Sequence, residues 1–296
     1  MGKFKKKIWL LIPPVVILFY NKFFVQKKKP IISNDKIEQE SNVNNEIWKG
    51  IYNNWEFASG LTEGYDHDII LQKCYHSILK VKNGDAVYER DSILFDKKQY
   101  STGVLAGLFL TSICESNRVS VMDFGGSLGS TYFQNIEFFK MFDEFHWGIV
   151  EQSNFYELGL KYFEDEQLTF HKEITDCIHK INPNVLLISS SLQYISNPEE
   201  LLETINFQNI RFIIFDRTSI SLMNNFITIQ RVPDNIYKGS YPTWIFNFEW
   251  ILSKLSSYKF LFDFPSYCDG EVFIDNKIEV KWRGFVLEKN NSEILN

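Results

Sequence analysis

Cysteine is scarce and scattered in this chain of 296 residues. Cys74, Cys114, Cys177 and Cys268 include no pair close in sequence, which excludes a CxxC motif and the spacing of a zinc site. Four isolated cysteines read as buried free thiols in a reducing compartment. Histidine is also sparse, with five in all and none after His179. No Asp/Glu/His grouping stands at metal-ligand spacing, so no metal is expected. Positive charge is missing from most of the chain. Eight of the 31 basic residues are lysines within positions 1–30, which leaves 23 against 37 acidic residues from position 31 onward. An acidic body excludes non-specific nucleic-acid binding, which needs a basic face.

Apolar and aromatic residues are abundant. Hydrophobic types make up 45% of the chain, with 27 Phe, 14 Tyr and 7 Trp, enough to bury a sizeable core and to exclude wholesale disorder. Ile8–Tyr20 is an apolar run of 13 residues broken by Pro13-Pro14, short of the ~20 that a spanning helix wants. No small-x-small cleavage site follows. A helix after Pro14 puts Lys22, Gln26 and Lys29 on one face, with lysines flanking both ends. Residues 1–30 therefore read as a basic segment lying on an anionic membrane surface, at the cytoplasmic face of the inner membrane. A short single-pass anchor and a helix packed on protein are the alternatives. Residues 31–46 are polar and read as a flexible tether.

From residue 47 to 117 the chain reads as a mostly helical cap, with helices near 66–81 and 99–115. From 118 to 290 short apolar strands alternate with helices. Strands are expected at 119–124, 146–151, 168–171, 184–190 and 211–216, with helices between them, the first reaching Phe142. Strands without intervening helices follow at 258–264, 271–275 and 279–287. The pattern predicts an α/β fold with a mostly parallel sheet covered on both faces and a C-terminal antiparallel hairpin.

The sharpest local signal is Val119-Ser-Val-Met-Asp123-Phe-Gly125-Gly126-Ser127-Leu-Gly129-Ser130, a strand, an acid, a glycine turn and a helix start. Glycine lets a backbone bend sharply and approach a ligand closely. Glu151, at the end of the next strand, stands where such folds hold the hydroxyls of a ribose. Three readings compete. An S-adenosylmethionine (SAM) site has an acid followed by Gly-x-Gly-x-Gly, and here Ser127 replaces the middle glycine, although serine dislikes positive φ. A nicotinamide site needs Gly-x-Gly-x-x-Gly, which no alignment of these glycines satisfies. A serine hydrolase would use Gly125-x-Ser127-x-Gly129 as its nucleophile elbow, but that fold needs a late histidine.

Taken with HWGIVEQ, LLISSSLQYISNP, FDRT, TIQRVPDNIYKGSYPTWIF and the upstream Trp48-x-Gly50-x-Tyr52-x-x-Trp55, this stretch resembles a bacterial family of SAM-dependent methyltransferases associated with surface polysaccharide synthesis, over residues 47–265. The resemblance implies a Rossmann-like class I methyltransferase fold, S-adenosyl-L-methionine as cofactor and a small-molecule or glycan acceptor. Within that reading, Asp123, Gly125, Gly126, Ser127 and Gly129 serve the donor's amino-acid part. Glu151 serves its ribose, Gln152 and His171 stand near ribose or adenine, and Ser190 and Gln193 lie on the loop after the fourth strand. Asp216 is the candidate base, with Tyr194 beside it. Arg217 and Arg231 suit an acidic acceptor, and Tyr237, Tyr241 and Trp244 could stack on a sugar. For Trp48, Tyr52 and Trp55, packing of the cap is favoured over a lid. No Asn-Pro-Pro-Tyr type motif is present, so amines of DNA or protein are not favoured as acceptors. O-methylation of a glycan or lipid-linked sugar is the leading expectation, and a catalytically idle scaffold of a membrane assembly is the alternative.

Overall fold

The computed structural model describes residues 47–62, 67–232, 239–268, 271–275 and 277–290. The expected membrane segment and tether lie outside the described residues, as does Tyr237. Among the described residues no helix is long and apolar enough to cross a membrane.

Five strands carry the parallel sheet: β4 (Arg118–Phe124), β5 (Glu144–Val150), β6 (Leu168–His171), β7 (Val185–Ser189) and β8 (Phe212–Ser221). They are wound through α4 (Ser130–Phe139), α5 (Ser153–Tyr162), α6 (Ile174–Ile181) and α7 (Pro198–Asn206). Beyond β8, strand β13 (Ile278–Lys289) inserts antiparallel and pairs on its other side with β11 (Tyr258–Pro265). The spatial order is therefore β6-β5-β4-β7-β8-β13-β11. This mostly parallel sheet with one reversed strand is the Rossmann-like methyltransferase fold.

The strands are mostly apolar at their centres because both faces are covered. Neighbouring residues point to opposite sides of a strand. Val121, Leu187 and Ile214 enter one core cluster, and Met122, Ile188 and Phe215 enter the other. Helices sit close where a side chain is missing. A Cβ on Gly159 of α5 would come within 2.5 Å of the Phe170 ring, and one on Gly148 of β5 within 2.6 Å of Cys177 Sγ in α6. Helix starts follow local chemistry. Asn197 accepts from the Glu200 amide with Pro198 at the first helical position, an arrangement that satisfies orphan amides.

The N-terminal segment differs from the helical cap expected. Helices α1 (Trp55–Gly60), α2 (His67–Lys82) and α3 (Thr102–Cys114) are present, but so are β1 (Trp48–Tyr52) and a hairpin of β2 (Tyr88–Arg90) and β3 (Ile93–Phe95). Strand β1 pairs with β9 (Phe226–Val232), which pairs with β10 (Gly239–Asn247), and β10 touches the end of β8. Trp48 and Tyr52 thus belong to a sheet, and only Trp55 to a helix. Strand β8 was expected to end at Asp216. It runs on to Ser221 because its last residues pair with β13 and β10. Helix α4 stops three residues before the expected Phe142. The short α8 (Phe248–Lys254), capped by Asn247, precedes β11, and β12 (Glu271–Ile274) forms the C-terminal hairpin with β13.

Candidate active site

The carboxyl ends of β4, β5, β7 and β8 define the crevice in which open α/β sheets bind ligands. At its centre is the glycine turn. Gly125 and Gly129 have φ of +71° and +98°, and a Cβ on Gly125 would stand 2.5 Å from Ser191 Cβ on the loop after β7. A Cβ on Gly126 would stand 2.5 Å from the Asp123 carboxyl carbon. Ser127 adopts φ +54° despite its side chain. Its N–H donates to Glu151 Oε1 at 3.0 Å, and the Gln152 N–H donates to Glu151 Oε2 at 2.8 Å. The acid at the end of β5 is thus joined to the turn at the end of β4. Burial pushes the Glu151 carboxyl above its usual range, against the pull of those two amides.

Asp123 lies beneath the turn. It is 1% exposed, and its Oδ2 accepts from Trp147 Nε1 at 3.1 Å. Burial pushes it up to about 7. His171 is buried, its Nε2 bonded to Thr169 Oγ1 at 2.9 Å, while its carbonyl accepts the Glu151 N–H at 3.0 Å. Burial lowers its pKa. Its ring edge lies against Gly148, and its carbonyl ties down the backbone of Glu151. Gln152 is exposed and, with Glu151, Asn154, Lys172 and Glu173, lines an open polar groove.

Across the crevice, Ser190 and Arg217 also hold left-handed backbone, at φ +55° and +51°. Gln193 ties them together, its Nε2 donating to Ser190 Oγ at 3.3 Å and to the Arg217 carbonyl at 3.2 Å. A nitrogen that donates to a carbonyl fixes the amide's orientation, so Gln193 Oε1 is a buried acceptor without a donor. Asp216 is 3% exposed, with one oxygen accepting from Ser101 Oγ at 3.1 Å and the other from Ser189 Oγ at 3.0 Å. Tyr194 donates to Gln230 Oε1 at 3.0 Å and meets Tyr241 edge-on at 5.3 Å. Trp244 stacks with Trp55 and with Phe246, and its Nε1 donates to the Ile195 carbonyl. Arg231 is exposed on β9, opposite Ser240.

Sequence reasoning missed the β2–β3 hairpin, which covers the turn from the other side. Asp91 and Ser92 form its tip at φ +51° and +66°. Asp91 Oδ2 pairs with Arg217 Nη2 at 2.7 Å. Glu89, 2% exposed, accepts from Ser130 Oγ and, at 3.0 Å, from the Ser92 N–H. A two-residue Asp-Ser turn between Tyr-Glu-Arg and Ile-Leu-Phe was the available signal. The nucleophile-elbow reading finds no support here. The His171 ring nitrogen is bonded to Thr169, and His146 faces Glu144 at the amino end of β5. Among the described residues no group of three or more His, Cys, Asp or Glu is placed to hold a metal.

Fold and site together form a crevice in which a glycine turn, a strand-end carboxylate and a second loop converge. No family model matches this sequence, and neither does any curated protein. Solved structures do. The N-terminal domain of EvdMO1, in the presence of SAH and D-fucose, is 9% identical, covering 76% of this chain and 98% of that one at a TM-score of 0.44. SAM-bound CalS10, an amino pentose methyltransferase from Micromonospora echinaspora, is 6% identical, covering 66% and 92% at 0.42. SAM-bound magnesium protoporphyrin IX methyltransferase from Synechocystis PCC 6803 is 9% identical, covering 64% and 78% at 0.37. At such scores the likeness carries no argument about activity.

Proposed function

We propose that this chain binds S-adenosyl-L-methionine over the glycine turn and catalyses methyl transfer to a hydroxyl of a glycan or lipid-linked sugar. The observation that carries the reading is the bond from the Ser127 amide to Glu151, which puts a ribose-type carboxylate and a ligand-type turn within one hydrogen bond. The residues fit the donor. The turn has no room for side chains at Gly125 and Gly126, and a buried acceptor, Gln193 Oε1, waits for a hydrogen.

When bound, the donor supplies an activated methyl group; the chain has to orient the partners and exclude water. In this reading Glu151 takes the ribose hydroxyls, Gln152 and the open groove receive the nucleoside, and Ser190 and Gln193 border the reacting region. Asp123 and His171 brace the turn and the Glu151 backbone. A hydroxyl acceptor must lose a proton, and Asp216 receives it through a serine hydroxyl that it already holds. Tyr194 and Tyr241 offer the sugar a wall, while Trp244, stacked with Trp55 and Phe246, packs the cap. Arg217 and Arg231 favour an acidic or phosphorylated acceptor. The choice of a glycan follows from the resemblance in the sequence, and residues 1–30 would keep the enzyme on the cytoplasmic face of a membrane.

One observation favours the competing reading, an idle scaffold: both Asp216 oxygens are already engaged. Calorimetric titration of SAM and S-adenosylhomocysteine (SAH) into the full chain separates the two. Micromolar binding that Glu151→Ala weakens by about tenfold or more, about 1.4 kcal/mol, supports the donor site. Failure of the folded chain to bind either compound overturns it.

A further inference from the structure

Two carboxylates border the glycine turn. Glu151 comes from β5 and holds Ser127. Glu89 comes from the hairpin, some forty residues upstream, and is bonded to Ser130, the first residue of α4. A donor whose ribose were held by Glu151 would still have its amino-acid part to place along the turn, and Glu89 reaches that turn through Ser130. That part carries an α-ammonium with three hydrogens to place. The acid expected to meet it from the sequence, Asp123, is shut beneath the turn between Trp147 and Gly126.

We propose, resting on the methyl-donor reading above, that Glu89 is the residue that receives the donor's α-ammonium. Its surroundings suit that task. Each Glu89 oxygen accepts one hydrogen bond, from Ser130 and from Ser92, and a carboxylate oxygen can accept more than one. The neighbouring cation, Arg217, directs its guanidinium to Asp91. Burial pushes the Glu89 carboxyl up to about 7 even with two donors present, so an incoming cation gains by meeting its ionised form. Helix α4 supplies no acid in its own first turn, and Gly129 provides no side-chain cap. The hairpin thus brings to the turn a charge that the βα unit lacks. The cap becomes part of donor recognition and not merely a cover.

The test compares three ligands by calorimetry on the full chain: SAH, its deamino analogue, and 5′-methylthioadenosine, which lacks the amino-acid part. Glu89→Gln is expected to weaken SAH about tenfold or more and to leave 5′-methylthioadenosine within about twofold. The deamino analogue should bind wild type about as weakly as SAH binds the variant. Equal weakening of SAH and 5′-methylthioadenosine would show that Glu89 only holds the hairpin in place, and the proposal would fall. Unchanged SAH binding with lost methyl transfer would assign Glu89 to proton removal and also overturn it. Should Glu89→Gln not fold by circular dichroism, Glu89→Asp, which keeps the charge but draws it back by one methylene, carries the same expectations. If wild type binds none of the three, the donor reading fails as a whole. If wild type binds SAH and the variant binds it equally, only the assignment of Glu89 fails.

Discussion

Ser127 and Ser190 hold left-handed backbone just past the ends of β4 and β7, and Arg217 holds it within the neighbouring β8. Such residues each cost on the order of 1 kcal/mol, and strain of this kind gathers where a ligand is handled. A second expense lies below them, in Asp123. Its folded pKa of about 7 stands above the ordinary value of 3.8, so the folded state prefers the proton that the unfolded state gives up. A raised carboxyl contributes its stability at low pH and loses it progressively as pH rises from about 4 to about 7. Asp123→Asn keeps an acceptor for Trp147 and removes the titration. Thermal melts should show its Tm, relative to wild type, higher at pH 8 than at pH 5. A difference that stays flat with pH would mean that Asp123 is ionised in the folded state. The motif around these residues was legible in the sequence because glycine and acid fall at fixed steps after an apolar strand. Their burial was not, since whether a strand-end acid faces the crevice or Trp147 depends on the helix packed beneath.

At the scale of elements, legibility followed the degree of burial. Strands β4 to β8 are enclosed on both faces and read as continuous apolar runs, so their order along the chain was plain. Strands β9 and β10 carry Thr228, Gln230, Arg231, Tyr241 and Thr243, a mixture that reads as loop until pairing with β1 and β8 is known. Pairing between elements so distant in sequence leaves no local trace. The same holds for the hairpin that carries Glu89. Close helix–sheet contacts give a sharper test. Gly159→Ala puts a methyl into the Phe170 ring, and overpacking of this kind costs about 1–3 kcal/mol. Urea denaturation should show that loss with an unchanged m-value. A neutral result would mean that α5 can lift from β6 without cost.

For the whole molecule, the distribution of charge makes the remaining prediction. Eight lysines stand within residues 1–30, while the rest of the chain has 23 basic against 37 acidic residues. An anionic surface attracts the first group and repels the second, so the balance depends on distance and salt. Lysines close to such a surface contribute about 1 kcal/mol each, and the attraction falls off within a Debye length of about 10 Å at 0.1 M salt. The full chain should therefore sediment with vesicles containing phosphatidylserine at low salt and be released as salt rises. Replacing Lys27, Lys28 and Lys29 with Gln should lower that binding, while SAH affinity, which the proposed donor site would set, should stay the same. Binding to neutral vesicles that ignores salt would point instead to insertion of Ile8–Tyr20. Absence of binding to either kind would place these lysines against a protein partner.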